Sequence, residues 1–229
     1  MGNPITCISS MATRQVLAEL AAAFEEASGR PVSIESVGGV DAARRVQAGE
    51  TFDAVVLASD SIDRLLAAGH LMAGSRVDLV RSPVAIAVKA GARRPDVGTE
   101  AALRQAVLAA ATIGYSTGPS GTHLSRLLER WGIAAEISKR IVTPPPGVPV
   151  GALVARGEVE LGFQQLSELM HLDGVDVIGT LPAGAEFVTV FSGALCPGRE
   201  QAAAAREMLE FMASPAADEA KRRHGMEPA

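Results

Sequence analysis

Strand, loop and helix patterns alternate three times near the start of the chain. Apolar runs at 4–8, 32–37 and 52–58 are each followed by Ser or Gly and then by apolar residues at helical spacing. This alternation predicts a parallel sheet with right-handed crossovers, whose strands all end at one edge. Open α/β sheets bind ligands at that edge. We therefore expect a ligand to contact residues of these three loops, namely Ser9, Ser10, Gly38, Gly39, Val40 and Ser59.

The α/β alternation resumes after a long apolar pattern at 77–89, which Arg81-Ser82-Pro83 interrupts. Proline removes a ladder donor, so we expect a break or a crossing there. The pattern predicts two Rossmann-like α/β lobes joined by crossover strands. Residues 1–82 and 190–229 form the first lobe and 83–189 the second, and the final helices pack on the first lobe.

The loop at 114–123 joins a short apolar run to a helical pattern through small hydroxyl and glycine residues. Amide donors and the positive end of a helix dipole meet in such a loop, which favours an anion. The plainer interpretation is a turn and a helix cap. The ligand candidates here are Thr117, Ser120, Gly121 and Thr122. A GxxxxGK[ST] motif is absent from the sequence, which argues against nucleotide binding.

Composition excludes several classes of function. A formal net charge of −5 argues against a dominant nucleic-acid or anionic-membrane surface. The longest apolar runs fall short of the roughly 18 residues of a membrane span. Cys7 and Cys196 lie far apart without metal-finger spacing, so we expect no metal and no cofactor. The start of the chain lacks a signal-peptide pattern, so we expect a periplasmic protein if a signal peptide was removed and a cytoplasmic one otherwise.

Four segments carry a resemblance to a known family. Residues 8–11, 37–41 and 52–60, together with 157–163, resemble the molybdate-binding group of type 2 periplasmic binding proteins. The likeness covers nearly the whole chain. It implies two lobes joined by two crossover strands that close on a small anion in the inter-lobe cleft, in a protein that serves an ABC transporter.

The resemblance also places individual residues. Ser10 falls where the family has an oxyanion-binding serine, whereas Gly39 falls where the family has a second serine. The missing hydroxyl argues against molybdate or tungstate. Family tyrosine contacts fall near Gln164 and Gln165, whose amides donate and accept. This set favours a carboxylate that bears other polar groups.

Several residues have competing interpretations. Arg81 can pair with a ligand carboxylate or with a neighbouring acid, and Gly147 and Val148 can offer amides or merely break a helix. The weak catalytic candidates are His123 and Tyr115.

We therefore expect a monomeric solute-binding protein for a small organic anion, with membrane subunits of an ABC transporter as its partners. One alternative is an isomerase that moves a proton on an unsaturated carboxylate, because aconitate isomerase is similar to the same group. Molybdate or tungstate binding is a further alternative.

Overall fold

The computed structural model describes residues 3–145 and 147–229. The chain divides into two compact units. The first unit holds the residues up to Ser82 together with Val190–Ala229, and the second unit is Pro83–Thr189.

The first unit follows the predicted alternation. Its helices and strands, with β4 and β9 shared across the boundaries, are β1 Ile5–Ser10, α1 Arg14–Ser28, β2 Val32–Val37, α2 Gly39–Gln47, β3 Ala54–Ala58, α3 Ser59–Ala67, β4 Val77–Lys89, β9 Val188–Leu195, α9 Ala202–Ala213, α10 Asp218–Arg223 and β10 Glu227–Pro228.

In the sheet of the first unit, β1 lies between β2 and β3 and runs parallel to both. Strand β9 pairs with β3 in the antiparallel direction. One face of this sheet packs against α1 and α9 through a cluster that includes Leu20 and Met208. The other face packs against α2 and α3 through a cluster that includes Val46 and Ile62. Both faces are covered, so the inner strand β3 is apolar and buried throughout, as a strand packed on both faces requires.

The two cysteines are free and buried. Cys7 lies in the cluster under α1, whereas Cys196 lies in the cluster under α2 and α3, on the other face of the sheet. Burial raises the pKa of both thiols, that of Cys196 to about 11. These side chains therefore act as small apolar residues of the core.

The second unit contains the remaining elements, which are α4 Glu100–Ala109, β5 Ile113–Tyr115, α5 Pro119–Arg130, α6 Ala134–Ile137, β6 Ile141–Val142, α7 Val150–Arg156, β7 Leu161–Gln165, α8 Leu166–Leu169 and β8 Val175–Thr180. Strand β5 lies between β6 and β7 and is parallel to both. Strand β7 is antiparallel to β4, which also pairs with β8. The main hydrophobic core of the second unit includes Leu103, Leu124 and Phe163.

Of the break or crossing expected at Arg81-Ser82-Pro83, the structure shows the crossing. Strand β4 continues from Val77 to Lys89 without a break, and the boundary between the two units falls between Ser82 and Pro83. The ring fixes φ near −65°, which extended backbone accommodates, and a residue before proline prefers the extended region. The apolar run at 52–58 followed by Ser59-Asp60 predicts that Ser59 caps α3, and this prediction is wrong. Ser59 is the first helical residue, and Ala58 occupies the cap position and makes no side-chain cap hydrogen bond.

Candidate ligand-binding surfaces

The parallel strands of the first unit end beside three helical starts. Ser10 ends β1 and caps a 3-10 turn, α2 begins at Gly39 after β2, and α3 begins at Ser59 after β3. In the register of β1 and β2, Ser10 lies opposite Val37. Because α2 begins at Gly39, two residues after Val37, its first turn starts close to Ser10. We call this set the Ser10 surface; its residues are Ser10, Gly38, Gly39, Val40 and Ser59.

The two neighbouring serines have different surroundings. Ser9 is fully buried, and its hydroxyl lies 2.8 Å from the Ser36 hydroxyl across the strand pair. Ser10 is partly exposed, and its hydroxyl accepts a 3.4 Å hydrogen bond from the Ala12 amide. Ser9 therefore stabilises the sheet, whereas Ser10 retains an accessible hydroxyl.

The start of α2 lies against Ser10. A Cβ built on Gly39 would be 3.5 Å from Ser10 Oγ, which is an ordinary contact distance. Gly38 occupies the cap position of α2 and provides no side-chain acceptor, so the first amides of the helix keep their hydrogen-bonding capacity. Val40 is 63% exposed in that first turn. The Ser10 surface thus presents backbone amides and the hydroxyls of Ser10 and Ser59, with the dipole of α2 favouring negative charge.

Arg81 lies on β4, away from the helix starts along the chain. It is exposed and pairs in register with Glu227 of β10. Its charge also helps to lower the pKa of Asp78, although burial of that carboxyl opposes the shift and hydrogen bonds from Arg76 and Ser192 contribute more. These contacts fit the alternative in which Arg81 interacts with neighbouring acids of its own unit.

In the second unit, the loop between β5 and α5 is fixed by close packing. The Ser116 hydroxyl accepts from the Gly118 amide at 3.3 Å and lies 3.2 Å from the Ser120 hydroxyl. A Cβ on Gly121 would lie only 1.6 Å from the Ser116 carbonyl oxygen, so no other residue fits there without moving the loop. Ser120 is buried, which leaves Thr117 and Thr122 as the exposed hydroxyls of the predicted set.

This loop forms one wall of a polar cavity of about 400 Å³ within the second unit. We call it the α5 pocket; its lining residues are Tyr115, Ser116, Thr117, Gly121, Thr122, Ser125, Arg126, Glu129 and Thr143. Burial, together with the nearby Glu129 charge, raises the pKa of Tyr115, while a hydrogen bond from Ser125 opposes that shift. Tyr115 is therefore neutral at physiological pH and offers a hydroxyl.

The two glutamines at the end of β7 are both buried. The Gln164 carbonyl accepts from the Gly151 amide at 2.9 Å, and its amide donates to Glu168 at 2.8 Å. Gln164 therefore caps α7. The Gln165 amide donates to the Thr189 hydroxyl at 2.7 Å, and no described residue donates to its carbonyl oxygen.

Gln164 is adjacent to a carboxyl group with an unusual environment. Burial raises the pKa of Glu168 to about 7, and the Gln164 hydrogen bond only partly offsets this.

Gly147 and Val148 lie just before α7; Gly147 has a φ of 77°, and the Val148 amide donates to the Pro145 carbonyl at 3.0 Å. Pro146 lies outside the described residues.

His123, one of the two weak catalytic candidates, is held by packing. Its ring stacks on Phe187 at a centroid distance of 4.3 Å, and Nε2 lies 3.2 Å from the Ala185 carbonyl oxygen. Tyr115, in contrast, lines the α5 pocket. Among the described residues, no group of three or more His, Cys, Asp or Glu side chains could hold a metal ion.

Sequence reasoning missed Arg126, Glu129 and Glu168. Thr122, Ser125, Arg126 and Glu129 share one face of α5, opposite Leu124 and Leu128. That polar spacing was visible in the sequence, but it is also typical of a solvated helix face. Glu168 follows an apolar strand, and nothing in the sequence indicated that its carboxyl group is buried.

A model of the bacterial extracellular solute-binding protein family matches residues 5–227. The chain belongs to that family. Aconitate isomerase from a Pseudomonas species is a sequence relative, 36% identical over 232 residues that cover 98% of this chain and 87% of the relative.

Solved structures share the fold at lower identity. The periplasmic molybdate-binding protein of Azotobacter vinelandii superposes with a TM-score of 0.80 at 20% identity, covering 97% of this chain and 98% of that one. A sulfate-binding protein of Mycobacterium tuberculosis gives 0.79 at 14% identity, covering 100% and 88%. These likenesses confirm the predicted type 2 periplasmic-binding-protein fold. None of the described helices is long and apolar enough to span a bilayer.

Proposed function

We propose that this protein binds a small organic anion, specifically a polar carboxylate, and that the α5 pocket of the second unit holds it. The observation that carries the proposal is the α5 pocket, which combines exposed hydroxyls with a guanidinium that is free to pair. Arg126 is exposed and makes no ion pair with any described residue. Guanidinium groups bind carboxylates in a bidentate manner, so Arg126 is the natural partner for one carboxylate of the ligand.

The Ser10 surface supports the same class of ligand. Uncapped helix starts favour negative charge, and Gly39 stands where the resembling family has a second serine. Fewer hydroxyl donors suit a tetrahedral oxyanion less well. Molybdate and sulfate therefore rank below carboxylates, although the structural relatives named for those anions share the fold.

Family membership supports a role in delivery. Bacterial extracellular solute-binding proteins present ligands to membrane transporters, and we propose that this chain passes its carboxylate to the membrane subunits of an ABC transporter.

Thermal unfolding against an anion panel tests the binding proposal. The panel contains di- and tricarboxylates together with molybdate, tungstate and sulfate. A ligand that binds only the folded state at a thousandfold excess over its Kd stabilises it by about 4 kcal/mol, so a carboxylate should raise the melting temperature clearly. If only the tetrahedral oxyanions raise it, or if no anion does, the carboxylate proposal is wrong.

A second candidate function is proton transfer on an unsaturated carboxylate. The observation that favours it is the 36% identity to aconitate isomerase along nearly the whole chain. Two groups suited to proton transfer lie in the second unit. Tyr115 lines the α5 pocket, and the pKa of Glu168 is raised by burial to about 7, near the value that general acid–base catalysis favours.

Proton NMR in D₂O distinguishes the two functions. The isomerase candidate predicts that cis- and trans-aconitate interconvert and exchange their allylic protons in the presence of the protein. It also predicts that Tyr115→Phe or Glu168→Gln slows the exchange while the fold is retained. A carboxylate that binds without any exchange supports the passive binding protein and rejects the isomerase.

A further inference from the structure

One face of α5 carries side chains into the α5 pocket at regular intervals. Ser125 and Arg126 each lie three or four residues from both Thr122 and Glu129, so the four side chains project from the same side of the helix. Tyr115 from β5 and Thr143 after β6 line the same cavity. The pocket is therefore built from separate elements around one helix face.

Two opposite charges of this face are unpaired. Arg126 and Glu129 are both exposed, and neither side chain forms an ion pair or a hydrogen bond with any described residue. The next arginine along the helix behaves differently, because Arg130 bonds to both Glu100 and the Gly184 carbonyl at 2.6 Å. The pocket thus offers a free cationic donor and a free anionic acceptor about one helical turn apart.

We propose that Glu129 determines ligand specificity by accepting a hydrogen bond from a hydroxyl or ammonium group of the carboxylate that Arg126 binds. This inference rests on the proposed function and narrows it. The ligand class becomes a hydroxy- or amino-substituted carboxylate.

The chemistry of the two side chains explains this selection. An ionised carboxylate only accepts hydrogen bonds, so Glu129 contributes nothing to an acid without a donor. It also repels a second carboxylate placed beside it. A ligand donor converts that repulsion into a charge-assisted hydrogen bond, which is stronger than a neutral one. The hydroxyls of Thr122 and Ser125 adjust to either role, so they do not discriminate.

Matched ligand pairs test the proposal by isothermal titration calorimetry. Malate and aspartate each differ from succinate by one donor group, and citrate differs from tricarballylate by one hydroxyl. We expect the wild-type protein to bind the donor-bearing member of a pair about tenfold more tightly, roughly the net contribution of one hydrogen bond to a charged group. The malate and aspartate arms distinguish a hydroxyl from an ammonium group.

The variant Glu129→Gln keeps the size of the side chain and removes its charge. We expect it to lose most of the preference, through weaker binding of the donor-bearing acids and equal or tighter binding of succinate and tricarballylate. The matched control is Glu136→Gln, which removes one exposed charge from α6 outside the pocket and should keep the preference. Circular dichroism and melting temperature confirm that both variants fold.

The outcomes separate this inference from the proposed function. Binding without a preference in the wild type, or a preference that Glu129→Gln retains, overturns the role of Glu129 and leaves carboxylate binding intact. Binding of other carboxylates but none of these five overturns the inferred ligand class. Failure of every carboxylate to bind rejects the proposed function itself.

Discussion

The Ser10 surface and the α5 pocket offer a ligand different kinds of group. The Ser10 surface consists of helix starts, glycines and two serines, and the acid in the first turn of α2 is already paired with Arg44. The α5 pocket contains Arg126 and Glu129, which pair with none of the residues that the structure describes, among hydroxyl groups. We propose that the Ser10 surface favours negative charge through the backbone, whereas the α5 pocket distinguishes ligands through side chains. Specificity should therefore reside in the second unit, and substitutions in the two places should have different consequences.

The largest expected effect concerns the loop that forms the wall of the α5 pocket. Gly121→Ala places a Cβ 1.6 Å from the Ser116 carbonyl oxygen, so the loop or the start of α5 must move. We expect the free energy of unfolding to fall by about 3–5 kcal/mol, as for severe packing defects, and carboxylate binding to be lost. Urea unfolding measures the change. Gly118→Ala is the control, because its Cβ would meet only Ser116 Oγ at 3.5 Å; equal losses in the two variants would contradict the packing argument.

Removing the free cation should affect binding without affecting stability. Arg126→Met retains the apolar stem and removes the guanidinium, and we expect the Kd for carboxylates to rise about 10- to 100-fold, which corresponds to about 1.5–3 kcal/mol for hydrogen bonds to charged groups. The melting temperature of the unliganded protein should stay constant, since Arg126 has no described partner. Calorimetric titration measures the Kd. Arg93→Met, an exposed arginine of the same unit outside the pocket, should bind normally.

The raised pKa of Glu168 predicts that the stability of the protein depends on pH. Burial raises the pKa of this carboxyl from 4.5 to about 7, so the folded state retains a proton that the unfolded state has released. The corresponding stability is complete below about pH 4.5 and is lost as the pH rises through about 7. Glu168→Gln keeps an acceptor for the Gln164 amide and removes the charge, so it should stabilise the protein by on the order of 2 kcal/mol at pH 8 and by almost nothing at pH 4.5.

Melting curves of Glu168→Gln and the wild type across this pH range measure the difference. Glu158→Gln is the control, because Glu158 is exposed, its hydrogen bond with Arg156 lowers its pKa, and its removal should give no gain at pH 8. A pH-independent effect of Glu168→Gln would contradict the raised pKa.

The smallest expected effect concerns the Ser10 surface. Gly39→Ser adds a hydroxyl beside Ser10 Oγ, and its Cβ fits at 3.5 Å, so stability should change by less than about 0.5 kcal/mol. We expect a measurable gain in affinity for molybdate and little change in the ranking of carboxylates. Gly39→Ala fills the same space without a hydroxyl and should not gain affinity. A changed preference between malate and succinate would contradict the division of roles between the two surfaces.

The sequence predicted the fold and the Ser10 surface better than the α5 pocket. The spacing of apolar residues and the positions of turn residues indicate where parallel strands end. The sequence alone therefore places Ser10 and Gly39 at the same edge of the sheet. Arg126 and Glu129 could not be assigned in this way, because an exposed charged residue on a helix gives no sign of whether a partner lies nearby. The separate roles of Gln164 and Gln165 depend on the position of Gly151, a contact between elements that local sequence does not encode.

The most direct test of carboxylate binding by the α5 pocket is a titration followed by ¹H–¹⁵N NMR. Adding malate or citrate to the labelled protein should shift the amides of Thr117, Gly121 and Thr122, which line the pocket, in a saturable manner that gives one Kd. A titration that shifts none of these three amides would contradict the claim that the α5 pocket binds the carboxylate.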